Sequence, residues 1–139
     1  MQGVQIFKRS KRHLKVESKT IDNEINRSKR FGFNFGVLAV EVPQTVSRGL
    51  SSILPGRTIS FHVMQKHIRR YDTIVQSLHR RYYVILPQTD KTGVGVVSEK
   101  IKKLSSDYGW GNISIGSAVY PQDGTTAEKL LEKSASQII

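Results

Sequence analysis

Arg69-Arg70-Tyr71-Asp72 is the only Arg-x-x-Asp in the chain, and it sets a guanidinium and a carboxylate three residues apart. Arginine presents a planar fork that pairs bidentately with phosphate oxygens or with the acceptor edge of a purine. A carboxylate accepts from N–H groups. The same two charges can also form a plain surface ion pair worth about 0–1 kcal/mol. Leu78-His79-Arg80-Arg81-Tyr82 follows six positions after Asp72, at the junction of two apolar runs. Its two arginines would contact an acidic group or a phosphate, or would stand as solvated loop charges. Thiolate chemistry is excluded because there is no cysteine. His13, His62, His67 and His79 are dispersed, and His62 and His67 share a helix without sharing a face, so no metal site is expected.

Charge extends the phosphate theme without sharpening it. Lys and Arg number 22 against 11 Asp and Glu, a net charge of +11. Such a field attracts nucleic acid, nucleotides and anionic lipid alike. Part of it is local: Lys8, Arg9, Lys11, Arg12 and Lys15 precede any core pattern, so residues 1–19 read as a solvated basic linker. At 139 residues the chain fits one domain, here 20–139, plus that tail. No apolar run approaches the roughly 18–20 residues of a membrane span. The basic N-terminus lacks the apolar stretch of a secretory signal. A cytoplasmic domain is the expectation.

The elements that must position these residues follow from periodicity. Thr20 to Arg30 predicts a short helix capped by Thr20, with Ile21 and Ile25 on one face. Phe35 to Val42 is apolar on both faces and predicts a central strand closed by Pro43. Residues 44–54 read as helical, Pro55-Gly56 as a break, and Thr58 to Arg70 as an amphipathic helix. Thr73–Leu78 and Arg81–Leu86 form a hairpin, so Arg69 and Asp72 lie where a helix ends and a strand begins. Residues 91–105 predict a second amphipathic helix and Asn112–Tyr120 a strand. Thr125-Thr126-Ala127-Glu128 reads as a capping box opening a last helix lined by Leu131, Ala135 and Ile138. Phe31, Phe33 and Phe35 alternate, either to pack the leading helix onto the sheet or to stack bases. Trp110 reads as a lid over the sheet edge. The order gives an α+β fold with a mixed central β-sheet flanked by helices.

From about residue 20 onward the sequence resembles the GGDEF domains of bacterial diguanylate cyclases. The resemblance rests on landmarks in order: Glu24–Arg30 leading into Val37-Leu38-Ala39-Val40-Glu41; Arg69–Asp72; Tyr82-Tyr83-Val84-Ile85-Leu86-Pro87; Ser98-Glu99-Lys100-Ile101; Ile113-Ser114-Ile115-Gly116; Tyr120-Pro121; and Asp123-Gly124. It implies the palm-like fold of nucleotidyl cyclases and a cyclic di-GMP ligand. In the family, Arg-x-x-Asp binds cyclic di-GMP as feedback inhibitor, which implies roles for Arg69 and Asp72. Lys100 aligns with a second basic ligand-holding residue, usually arginine. Arg27 aligns with a basic residue that completes the site from a neighbouring domain or protomer in some members.

The departures matter equally. Where the family carries Gly-Gly-Asp/Glu-Glu-Phe, this chain has Leu78-His79-Arg80-Arg81-Tyr82. The glycines give close approach to GTP and the acids give hard oxygen ligands for magnesium. Leucine and histidine block the first, and arginines repel the metal. Glu41-Val42-Pro43 offers one carboxylate where the family has Asp-x-Asp. The expectation is therefore a non-catalytic cyclic di-GMP receptor without cofactor or metal. The alternatives are a catalytically dead domain used for self-association or for contact with another domain or protein of a larger complex, and a basic nucleic-acid-binding module.

Overall fold

The computed structural model describes residues 2–43, 59–78 and 80–138, with side chains over 16–43, 60–77 and 80–138. The helix expected over 44–54, the Pro55-Gly56 break, His13 and His79 lie outside the described side chains, as does the side chain of Leu78. Chain order is α1 (Gln2–Phe31), β1 (Phe35–Glu41), α2 (Ile59–His67), β2 (Thr73–Leu78), β3 (Arg81–Pro87), α3 (Lys91–Tyr108), β4 (Ser114–Tyr120) and α4 (Ala127–Ser136).

The strands form one sheet in the order β2-β3-β1-β4. The class is α+β, as the periodicity predicts. Every described ladder is antiparallel, whereas a mixed sheet was expected. From β1 onward the elements follow a split β-α-β-β-α-β pattern. Both crossovers carry a helix: the first places β2 at the sheet edge, with β3 turning back between it and β1, and the second brings β4 in on the other side of β1, antiparallel to it.

Side chains alternate across a strand, so one sheet builds two cores. Leu38, Val40, Tyr82, Val84 and Leu86 face α2 and α3 and meet Phe61, Met64, Ile101 and Leu104. Phe35, Val37, Ala39, Tyr83 and Ile85 face α1 and α4 and meet Ile21, Ile25, Leu130 and Leu131. This double coverage is why β1 and β3 read as apolar on both faces. Two glycines admit close approach. A Cβ at Gly36 would run into Val94 of α3, and one at Gly116 would run into the Ser134 carbonyl of α4.

Several boundaries differ from the sequence expectation. α1 is continuous from Gln2, where 1–19 was expected to be linker. Its Lys and Arg residues are good helix formers, and no glycine or proline interrupts positions 4–31. Thr20 is therefore not a cap: it sits inside the helix and its hydroxyl donates to the Val16 carbonyl at 2.9 Å. The cap of α4 is Thr126, whose hydroxyl accepts from the Lys129 N–H at 3.2 Å, one residue later than the Thr125 register. Trp110 is 5% exposed and belongs to the core beneath α3.

Candidate functional site

Helix α2 ends at His67 and β2 starts at Thr73, so Arg69–Asp72 fills the turn between them. The turn closes on itself. The Asp72 N–H donates to the Arg69 carbonyl at 3.0 Å, and the Arg69 N–H donates to Asp72 Oδ2 at 2.9 Å. Arg69 Nε donates to the same oxygen at 3.1 Å, and the second guanidinium nitrogen, Nη2, lies 3.0 Å from Asp72 Oδ1. A spacing of three is what a four-residue turn needs to fold the carboxylate back under the arginine. The Asp72 side chain is 1% exposed, and that of Arg69 is 40% exposed. Hydrogen bonding to Asp72 holds the Arg69 pKa above the ordinary arginine value.

The guanidinium also reaches the opposite side of the site. Nη2 donates to Thr89 Oγ1 at 2.6 Å and, more weakly, to the Pro87 carbonyl at 3.4 Å. Thr89 is buried and donates its own proton to Pro87 at 2.8 Å. Nη1 donates to the Tyr71 hydroxyl at 3.2 Å, and the guanidinium carbon lies 4.7 Å from the centre of that ring. Of the five guanidinium N–H groups, one on Nη1 has no protein partner among the described residues. Tyr71 is exposed, so a ligand gains a second donor by displacing its hydroxyl.

Arg69 stands at the wall of a cleft of about 530 Å³, lined also by Gly32, Phe33, Asn34, Gln88, Thr89, Asp90 and Gly93. Two local devices shape it. Gly32 takes a positive φ of 72° at the end of α1 and donates its N–H to Ser28 at 2.7 Å, which turns Phe33 and Asn34 towards the cleft. Asp90 caps α3, accepting from the Gly93 N–H at 2.9 Å. Sequence reasoning missed Thr89. The available signal was a Thr-Asp pair directly before an amphipathic helix, which marks a cap but not a partner for Arg69.

The other expected site residues are not gathered here. Lys100 is exposed on α3, seven residues beyond Gly93, and is absent from the cleft lining. Seven residues of helix put it about 10 Å further along. Arg27 lines a separate hollow of about 240 Å³ with Asn23, Asn26, Arg30 and Phe31. It lies 3.6 Å from Glu24, a carboxylate whose pKa is raised by burial, against the attraction of Arg27.

At the hairpin, Arg80 is exposed, but Arg81 is not the solvated loop charge that was one expectation. Arg81 is the cross-strand partner of Glu41, and its Nη2 donates to Glu41 Oε1 at 3.0 Å with both side chains largely covered. Burial works against the Arg81 charge, but Tyr83 and Glu41 outweigh it and raise its pKa. The one carboxylate where the resemblance places metal ligands is therefore held by a cation. Among the described residues, no group of three or more His, Asp or Glu converges as a metal site. No helix among them is long and apolar enough to cross a membrane.

No protein-family model matches the chain. No curated protein matches it. Solved structures do. A diguanylate cyclase protein from Thermotoga maritima superposes with a TM-score of 0.72 at 13% identity, over 87% of this chain and 90% of that one. The GGDEF domain of DgcB from Caulobacter crescentus, solved in complex with c-di-GMP, gives 0.67 at 11% identity over 86% and 76%. Diguanylate cyclase SiaD from Pseudomonas aeruginosa, solved with its activator SiaC, gives 0.69 at 15% identity over 88% and 52%. At these identities the likeness establishes a GGDEF-like fold.

Proposed function

We propose that this domain is a non-catalytic receptor for cyclic di-GMP that binds the dinucleotide at the Arg69 cleft. The observation that carries the reading is the partly exposed guanidinium at the wall of a cleft of about 530 Å³, seated by Asp72 below and Thr89 beside it. Pre-organised arginine loses little freedom when it pairs with a purine edge or a phosphate. Asp72 is not placed to accept from guanine N1–H, because its carboxylate is covered and engaged by Arg69. Its role is to aim the arginine. The cleft lining offers Asn34, Gln88 and Asp90 as acceptors for a guanine instead. Lys100 and Arg27 would join from outside the cleft, Lys100 as a point charge without bidentate geometry.

Loss of catalysis belongs to the same reading. Phosphoryl transfer needs magnesium ions held by carboxylates against the phosphates. Glu41, paired with Arg81, is a poor metal ligand, since binding a cation there requires breaking the ion pair and bringing two positive charges together. Calorimetry with cyclic di-GMP on the wild type and on Arg69→Ala tests the receptor. The expected result is saturable heat that Arg69→Ala abolishes. A silent wild type at high micromolar ligand rejects it.

One observation favours a second reading, a domain kept for protein contacts. The burial of Asp72 completes the ion pair within the chain, so the turn is stable without any ligand. That reading predicts no response to the nucleotide and a concentration-dependent mass in sedimentation.

A further inference from the structure

We infer that the ring pair of exposed Phe31 and half-buried Phe33 is a stacking wall for a purine base, and that it joins the Arg69 cleft to the Arg27 hollow so that each takes one base of the same dinucleotide. The inference rests on the receptor reading and assigns residues that neither the Arg-x-x-Asp motif nor the hairpin contains.

Phe31 is the last residue of α1 and is 65% exposed, which is far from a core position for a side chain of that size. Phe35, two residues beyond Phe33, is fully buried and stacks on Tyr120 with ring centres 5.1 Å apart. The turn at Gly32 separates the two fates: it ends the helix and returns Phe33 alongside Phe31. Their rings lie 6.1 Å apart between centres and only 4° from parallel. Phe33 is half-buried and backs Phe31, so the π-face open to a base is chiefly that of Phe31.

Phe33 lines the cleft that holds Arg69, and Phe31 lines the hollow that holds Arg27 and Arg30. The two depressions therefore meet at one aromatic wall. The hollow supplies what a nucleotide needs besides stacking. Among the described residues Arg30 makes no ion pair, and Arg27 is 57% exposed and pairs with the buried Glu24 carboxylate. Both can approach a phosphate. Asn23 and Asn26 offer donors and acceptors to a base edge. A ligand with two purines joined through two phosphates matches two hollows, one shared aromatic wall and arginines on both sides. A single phosphate or a lipid headgroup would use the arginines and leave the rings idle.

The test is titration of the whole chain with cyclic di-GMP, comparing wild type, Phe31→Leu and Phe31→Trp. Leucine keeps apolar area and loses the π-face, and the exposed position leaves the fold intact. Phe31→Leu is expected to weaken binding about tenfold, the scale of one lost base stack. Phe31→Trp is expected to bind at least as well as wild type and to lose indole fluorescence on saturation. Wild-type binding that Phe31→Leu leaves unchanged, or Phe31→Trp emission that does not respond, overturns the stacking wall and leaves the receptor reading standing. A wild type that does not bind removes both. Competition by inorganic phosphate or anionic phosphatidylserine vesicles with equal effect on wild type and Phe31→Leu would show that the cations act alone, and also overturns it.

Discussion

Thr89→Val removes one hydroxyl from the seat of Arg69 and almost nothing else, because the two side chains have nearly the same shape. Two bonds go with it: Arg69 Nη2 to Thr89 at 2.6 Å, and Thr89 to the Pro87 carbonyl at 2.8 Å. A hydrogen bond to a charged group contributes about 1.5–3 kcal/mol and a neutral one about 0.5–1.5 kcal/mol. Arg69 is 40% exposed, so water can take over the lost acceptor and the lower end applies. The Pro87 carbonyl keeps its weaker partner, Arg69 at 3.4 Å. The expected loss is about 1.5 kcal/mol, or roughly 5 °C in Tm for a chain of this size. Urea denaturation at pH 7 measures it. The cycle with Arg69→Ala isolates the shared bond: in that background Thr89→Val should cost only about 0.5 kcal/mol, leaving a coupling of about 1 kcal/mol. If Thr89→Val costs the same in both backgrounds, Arg69 is not seated on Thr89, and the pre-organised arginine is lost as an argument for binding.

Three further outcomes are expected. Gly116→Ala drives a methyl group into the Ser134 backbone carbonyl, which cannot rotate away, and should destabilise by about 1–3 kcal/mol in the same denaturation assay. Glu24 has a folded pKa raised by burial, so the folded state holds its proton more tightly and stability falls as pH rises above the ordinary glutamate value of 4.5. Glu24→Gln should therefore gain on wild type between pH 4 and pH 7, and a gap that does not widen over that range contradicts the burial argument. Incubation with GTP and magnesium should yield no cyclic di-GMP by chromatography; product formation would mean that the Glu41–Arg81 pair opens to admit metal.

The sequence alone predicted the succession of strands along the chain and the presence of both crossover helices that are described. β1, β3 and α3 announce themselves through local apolar periodicity, and both faces of β1 and β3 are covered in fact as in pattern. The Arg69–Asp72 turn was legible for a similar reason, since a spacing of three within one turn is local geometry. The start of α1 was not legible, because lysine and arginine support a helix without leaving an apolar stripe.

What joins distant positions was decided by the tertiary structure. Glu41 and Arg81 are forty residues apart and meet only through the β1–β3 register. Arg69 and Thr89 meet only because β3 brings Pro87 back beside the turn before β2. Burial of Asp72 follows from the arginine folding over it, which no count of charges reveals. Phe31, Phe33 and Phe35 form one alternating pattern in sequence, yet one turn at Gly32 exposes the first and buries the last. Periodicity records which residues leave water; only the packed chain fixes which partners they find there.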